Sequence, residues 1–124
     1  MEHKQRIEKI CAKYSIQLDN VQIIDHLSNV ENKRRKKFAA LLHQKRKRKG
    51  LNMDEAYELM SNNNYFGMMM VETGEADAFI AGFRTKYSET IRPALQIFGV
   101  ADNKKHIAGM YIVTTKRGPF FFAD

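Results

Sequence analysis

Apolar positions along the chain change period several times, and each change marks an element. Residues 2–14 carry Ile7, Ile10 and Cys11 at helical spacing among charges, which predicts an amphipathic helix. "VQIID" (21–25) is short, β-branched and ends on an acid, which predicts a strand. Ser28 or Asn29 can cap a helix that runs to about Arg48 and stops at Gly50, with Val30, Phe38, Leu41 and Leu42 facing inward. Asn52, with Glu55 three residues on, forms a capping-box start for a short helix. Met53, Ala56, Tyr57 and Met60 give that helix its buried face. "NNN" (62–64) interrupts the pattern. "YFGMMMVETG" (65–74) is apolar on nearly every side and predicts a buried helix ended by Gly74.

The second half starts with "DAFIAG" (77–82), apolar without alternation, as a parallel strand covered on both faces would be. A helix from about 90 to 99 follows. "AGMYIVTT" (108–115) and "PFFFAD" (119–124) read as strands, joined by a tight turn at "KRG" (116–118). Strands alternating with helices predict an α/β layered domain with a mostly parallel sheet and a C-terminal hairpin. The 124 residues suffice for one domain and not comfortably two. Four strands make an under-built sheet whose edge invites pairing, and "FFAD" ends on a strand, so residues 1–124 are expected to be one incomplete domain of a longer protein.

Pro93 sharpens the reading of residues 75–99. Proline has no N–H and clashes inside a helix, so the helix is expected to start just before it. Thr90 is the best N-cap, with Ile91, Arg92 and Pro93 as the first turn and Ile91, Ala94, Leu95 and Phe98 as the buried stripe. Arg92 then lies near the positive end of the helix dipole, beside free backbone N–H groups, an arrangement suited to phosphate or carboxylate. The preceding loop, residues 82–89, holds Arg84, Thr85, Lys86 and Ser88 and leaves the carboxyl end of a predicted strand, where open α/β sheets take ligands. A solvated loop whose arginine pairs with Glu89 or Glu75 is the competing reading.

Charge adds one local feature. The formal net charge is +7, but "KRRKK" (33–37) and "KRKRK" (45–49) carry ten positive charges with nothing acidic between them, leaving the remainder at −3. Such a run is most often a solvated helix face. It lacks interleaved aromatics and any recognised nucleic-acid motif, which weakens that partner class. Hydrophobic residues make up 44% and charged residues 28%, ordinary for a globular chain. No apolar run approaches bilayer length and no signal-peptide core opens the chain, so neither membrane nor secretion is expected. One cysteine, Cys11, excludes an internal disulfide and favours a cytoplasmic home.

Other chemistry is thin. His3, His26, His43 and His106 lack metal-like spacing. Asp25, Glu72 and Asp77 read equally well as caps or as bases. There is no nucleophile elbow, phosphate-binding glycine loop or dinucleotide fingerprint. No catalytic or metal residue is assigned.

The order of the blocks "VQIID", "RKRKGLNMDEAYELM", "NYFGMMMVETGEADAFIAG", "TIRPALQIFG" and "FFFAD" resembles the phosphate acetyl/butyryltransferase family over nearly the whole chain. "FGMMMVETGEADA" and "KRGPFFFAD" look closest to the version fused to the C-terminus of large bacterial malic enzymes. The resemblance implies a three-layer α/β/α fold like that of isocitrate and isopropylmalate dehydrogenases, in a homo-oligomer. It implies that Arg46, in "KRKRKG", and Arg92, in "TIRP", contact coenzyme A or phosphate. Ala81, Gly82 and Phe83 depart from the serine-glycine-alanine that transferases usually carry there, and the catalytic elements of the family's later half are missing.

The expected ligand set is therefore Arg46, Arg84, Thr90 and Arg92, holding acetyl-CoA or another phosphate-bearing small molecule. The resemblance favours an acetyl-CoA-sensing regulatory domain of a malic enzyme, whose parent would use NADP or NAD and a divalent metal to oxidise malate to pyruvate. The alternative is part of a true phosphate acetyltransferase. A basic nucleic-acid-binding module is a second alternative.

Overall fold

Phe38 and Leu42 lie one helical turn apart, and both are fully buried in the computed structural model, which describes residues 2–83, 85–100 and 104–123. They belong to α2 (Asn32–Arg46), the central helix, which follows α1 (Glu2–Lys13) and a 3-10 turn at Asn29–Glu31. After α2 come a second 3-10 turn at Lys47–Lys49, α3 (Met53–Leu59), α4 (Asn63–Glu72) and α5 (Tyr87–Ile97). The chain closes with β1 (Met110–Thr115) and β2 (Gly118–Ala123).

The core lies where α2, α3, α4 and α5 meet. Phe38, Ala39 and Leu42 of α2 pack with Ala56 of α3 and Met60 just after it, with Tyr65, Phe66, Met68 and Met69 of α4, and with Ile97 of α5. Each fully buried Phe, Leu or Met contributes about 2 kcal/mol by leaving water. The Phe38 and Phe66 rings meet edge to face at 5.2 Å, and His26 tilts against Phe66 at 5.5 Å. The caps predicted for α3 are present: Glu55 N donates to Asn52 Oδ1 at 2.8 Å and Asn52 N to Glu55 Oε2 at 3.1 Å. Asn62 caps α4 in turn, accepting from the backbone N–H of Asn64 and of Tyr65.

The hairpin follows its sequence pattern. β1 and β2 pair antiparallel from Met110↔Ala123 to Thr115↔Gly118, and Gly118 adopts the left-handed φ of +112° that closes the two-residue turn. Its apolar side chains are exposed on both faces; Tyr111 and Phe121 retain 70% and 62% of their surface.

Several expectations are corrected. Residues 21–25 and 77–82 are not strands, and among the described residues the only sheet is the two-stranded antiparallel hairpin, not a parallel one. A strand is defined by its ladder, and neither segment finds a neighbour to pair with. Segment 77–82 is instead anchored by Phe79, which packs partly buried against the core over Gly67 of α4, while Ile80 and Phe83 stand in solvent. Val30 points outward at 86% exposure, because the 3-10 turn before α2 rotates it off the buried face. Ile7 and Ile10 of α1 also remain exposed.

α5 departs most from expectation. It begins at Tyr87 with Lys86 as N-cap, so Pro93 lies inside it and Thr90 is not the cap. Proline there removes the bond to the Glu89 carbonyl four residues earlier. The buried Asn64 side chain fills the gap, its Nδ2 donating to that carbonyl at 3.0 Å. No helix among the described residues is long and apolar enough to cross a membrane.

Candidate functional site

The end of α2 presents its cations towards α5. Gly50 takes a left-handed φ of +87°, Gly50 N donates to Lys47 O and Leu51 N to Arg46 O, so the helix closes tightly after Lys49. Lys45 fastens this end: its Nζ donates to the Ile97 carbonyl at the end of α5, at 2.9 Å, and also pairs with Glu72. With Lys45 committed inward, its neighbour Arg46 sits beside α5, and Lys49 follows three residues on.

On α5, Ser88, Arg92 and Gln96 recur every four residues and form one polar ridge. Tyr87, Ile91 and Leu95 flank it. These residues, with Arg46 and Lys49, line one open cavity of about 550 Å³, a size typical of small-molecule sites. Ser88 and Arg92 also border a second cavity of about 380 Å³ shared with Leu59, Asn62, Tyr65, Glu89 and Pro93. Arg92 therefore stands on the divide between two adjoining clefts.

Two contacts fix α5 against α4 at this point. Asn64 holds the Glu89 carbonyl, and the Tyr65 hydroxyl donates to Gln96 Oε1 at 2.6 Å. Tyr65 is buried, which pushes its phenol above its ordinary value; the nearby Arg92 and Arg46 guanidinium groups pull the other way. Both cations thus act electrostatically on the same buried phenol from two different helices. Among the described residues, neither Arg46 nor Arg92 has an ion-pair partner.

Arg46 and Arg92 are thus brought to one cavity. Thr90 is not: its hydroxyl is 3.2 Å from that of Thr85, and it does not line the cavity. Arg84 lies outside the described residues. With α5 starting at Tyr87, the first-turn N–H groups, which lack intrahelical acceptors, belong to residues near Tyr87 and Ser88, not to the turn at Arg92. Lys49, Leu95 and Gln96 stand outside the expected ligand set, and Tyr87 and Ser88, expected in the preceding loop, lie in the first turn of α5; a helix begun at 87 places Ser88 and Gln96 on the Arg92 face.

Much of the basic run is structural. Arg35 is buried and donates to the carbonyls of His26 and Ser28. Arg34 pairs with Glu31 and Glu75, and Lys37 with Glu75. A run partly committed within the chain in this way offers fewer cations to nucleic-acid phosphates. The cavity differs from it in kind. It offers positive charge from Arg46, Lys49 and Arg92, neutral hydrogen-bonding groups from Tyr87, Ser88 and Gln96, and an apolar wall from Ile91 and Leu95. That combination suits an anion attached to a larger, partly apolar body.

The chain has relatives among known proteins. The family model described as phosphate acetyl/butaryl transferase matches residues 2–124. A phosphate acetyltransferase from Acetivibrio thermocellus is 33% identical over 88% of this chain and 34% of its own length. One from Helicobacter pylori is 33% identical over 98% of this chain and 23% of its own. Among solved structures, the EutD phosphotransacetylase from Staphylococcus aureus superposes with a TM-score of 0.71 at 22% identity, covering 95% of this chain and 34% of that one. The chain spans about a third or less of the length of these relatives.

Proposed function

The chain belongs to the phosphate acetyl/butaryl transferase family, and from that premise we propose that it forms the coenzyme-holding part of a phosphate acetyltransferase, a protein that moves an acetyl group between coenzyme A and phosphate. The observation that carries this is the convergence of Arg46 and Arg92, from α2 and α5, on one cavity with Lys49. Three cations clustered at a cleft are costly through mutual repulsion unless an anion joins them. Phosphate groups of coenzyme A or acetyl-CoA supply that anion, and Ile91 and Leu95 offer apolar surface for the rest of the molecule. Arg84, three residues before α5 in the sequence, is retained as a further proposed cation of the site. Thr90 supports that loop through Thr85 and leaves the ligand to its neighbours.

The relatives named above are phosphate acetyltransferases, and this favours the transferase over the acetyl-CoA-sensing domain of a malic enzyme. The malic-enzyme reading keeps one specific support, the Ala81-Gly82-Phe83 departure from the transferase pattern. Assembly as a cytoplasmic homo-oligomer is part of the proposal. Incubating the full-length protein with acetyl-CoA and inorganic phosphate, and following release of free thiol, tests the transferase reading. Thiol release that needs phosphate supports it. Absence of release, together with NADP reduction by malate and a divalent metal, replaces it with the malic-enzyme reading.

A further inference from the structure

We propose that Gln96 is a ligand-contacting residue of the α2–α5 cavity and that Tyr65 is the positioning residue that turns its amide towards the ligand. The inference rests on the anion-binding reading above and deepens it.

Gln96 lines the cavity beside Arg92, one turn further along α5. A primary amide has two faces, one accepting through Oε1 and one donating through Nε2. The Tyr65 hydroxyl occupies the accepting face, donating to Oε1 at 2.6 Å. Tyr65 itself is 7% exposed and borders the adjoining cleft, not the cavity that Gln96 lines. The bond therefore reaches Gln96 from behind and leaves the Nε2 donors for the cavity. A neutral donor in the cavity that Arg46 and Arg92 also line adds a hydrogen bond to an anion without adding repulsion between cations. The arrangement also gives direction, because an amide presents its two hydrogens in one plane.

The pairing explains why a buried phenol meets a half-buried glutamine at this point. A buried hydroxyl needs a partner, and many would serve. Gln96 is the one that carries a second hydrogen-bonding face into the cavity.

Titration calorimetry of coenzyme A into the full-length protein tests this with four variants. Arg92→Ala reports on the site itself. Gln96→Met keeps length and removes the donors; it is expected to weaken binding about tenfold. Tyr65→Phe keeps the packed ring and frees the amide to rotate; it is expected to weaken binding about threefold. Tyr65→Phe/Gln96→Met is expected to bind as Gln96→Met alone, because the hydroxyl acts only through the amide. A merely structural Tyr65 would produce an additive loss in the double variant, and that result overturns its positioning role. Wild-type affinity in Gln96→Met, with Arg92→Ala weakened, overturns the inference and leaves the site reading intact. Absence of binding by the wild type overturns both. Should Gln96→Met fail to fold, undiminished binding by Tyr65→Phe overturns the inference equally.

Discussion

Asn64 Nδ2 donates to the Glu89 carbonyl at 3.0 Å, and that carbonyl is the one Pro93 leaves without its helical donor. A side chain of α4 thus takes the place of a missing backbone bond in α5. The bond ties α5 to α4 one turn before Arg92.

Replacing Asn64 by Ala strands the Glu89 carbonyl in a partly buried place and is expected to cost about 1–3 kcal/mol. In a Pro93→Ala background the restored N–H can serve the same carbonyl, so Asn64→Ala should cost less there. Denaturant titration of the two single variants and the double variant measures the difference. Additive costs would mean that Asn64 does not replace the missing bond.

Gly67 lies in α4 under the Phe79 ring, where an added Cβ would come within 2.4 Å of the ring edge. Crowding of this kind costs about 1–3 kcal/mol, and alanine's better helix propensity returns about 1 kcal/mol. Gly67→Ala is therefore expected to destabilise by about 1 kcal/mol. Gly67→Ala combined with Phe79→Leu should recover part of that loss in the same denaturant measurement.

Tyr65 gives a pH signature. Burial raises its phenol above the ordinary 10.0, against the smaller opposing pull of Arg92 and Arg46. The folded state then holds this proton more tightly than the unfolded state. Its contribution to stability is complete below about pH 10 and is lost as pH rises through the higher folded value. Denaturation midpoints followed from about pH 9 upward should fall more steeply for wild type than for Tyr65→Phe. Parallel slopes would place the phenol in water.

What could be read from the residues divides along a physical line. α2, α3, α4 and the hairpin were legible because their signals are local: the Asn52–Glu55 capping box, the left-handed Gly50, the apolar circumference of 65–74 and the two-residue turn before Gly118. Segments 21–25 and 77–82 have strand composition, but a ladder belongs to two strands, and no described partner provides one. The start of α5 was misplaced because the proline rule assumes no outside donor, and Asn64 is such a donor, contributed from the preceding helix. In the site, Arg92 was legible from its neighbours. Arg46 was not: five adjacent cations look alike by residue type, and only the family resemblance separated one from the rest. Its position becomes physical once Lys45 is seen tied to the Ile97 carbonyl and to Glu72.

The central claim is that two guanidinium groups on separate helices share one anionic ligand. Calorimetric titration of coenzyme A into the full-length protein, repeated with Arg46→Ala, Arg92→Ala and the double variant, measures it most directly. Each single change is expected to weaken binding by about 1.5–3 kcal/mol while leaving the melting temperature near that of wild type. The double change is expected to cost less than the sum, because both side chains serve the same ligand. Unchanged affinity in either single variant would contradict the account.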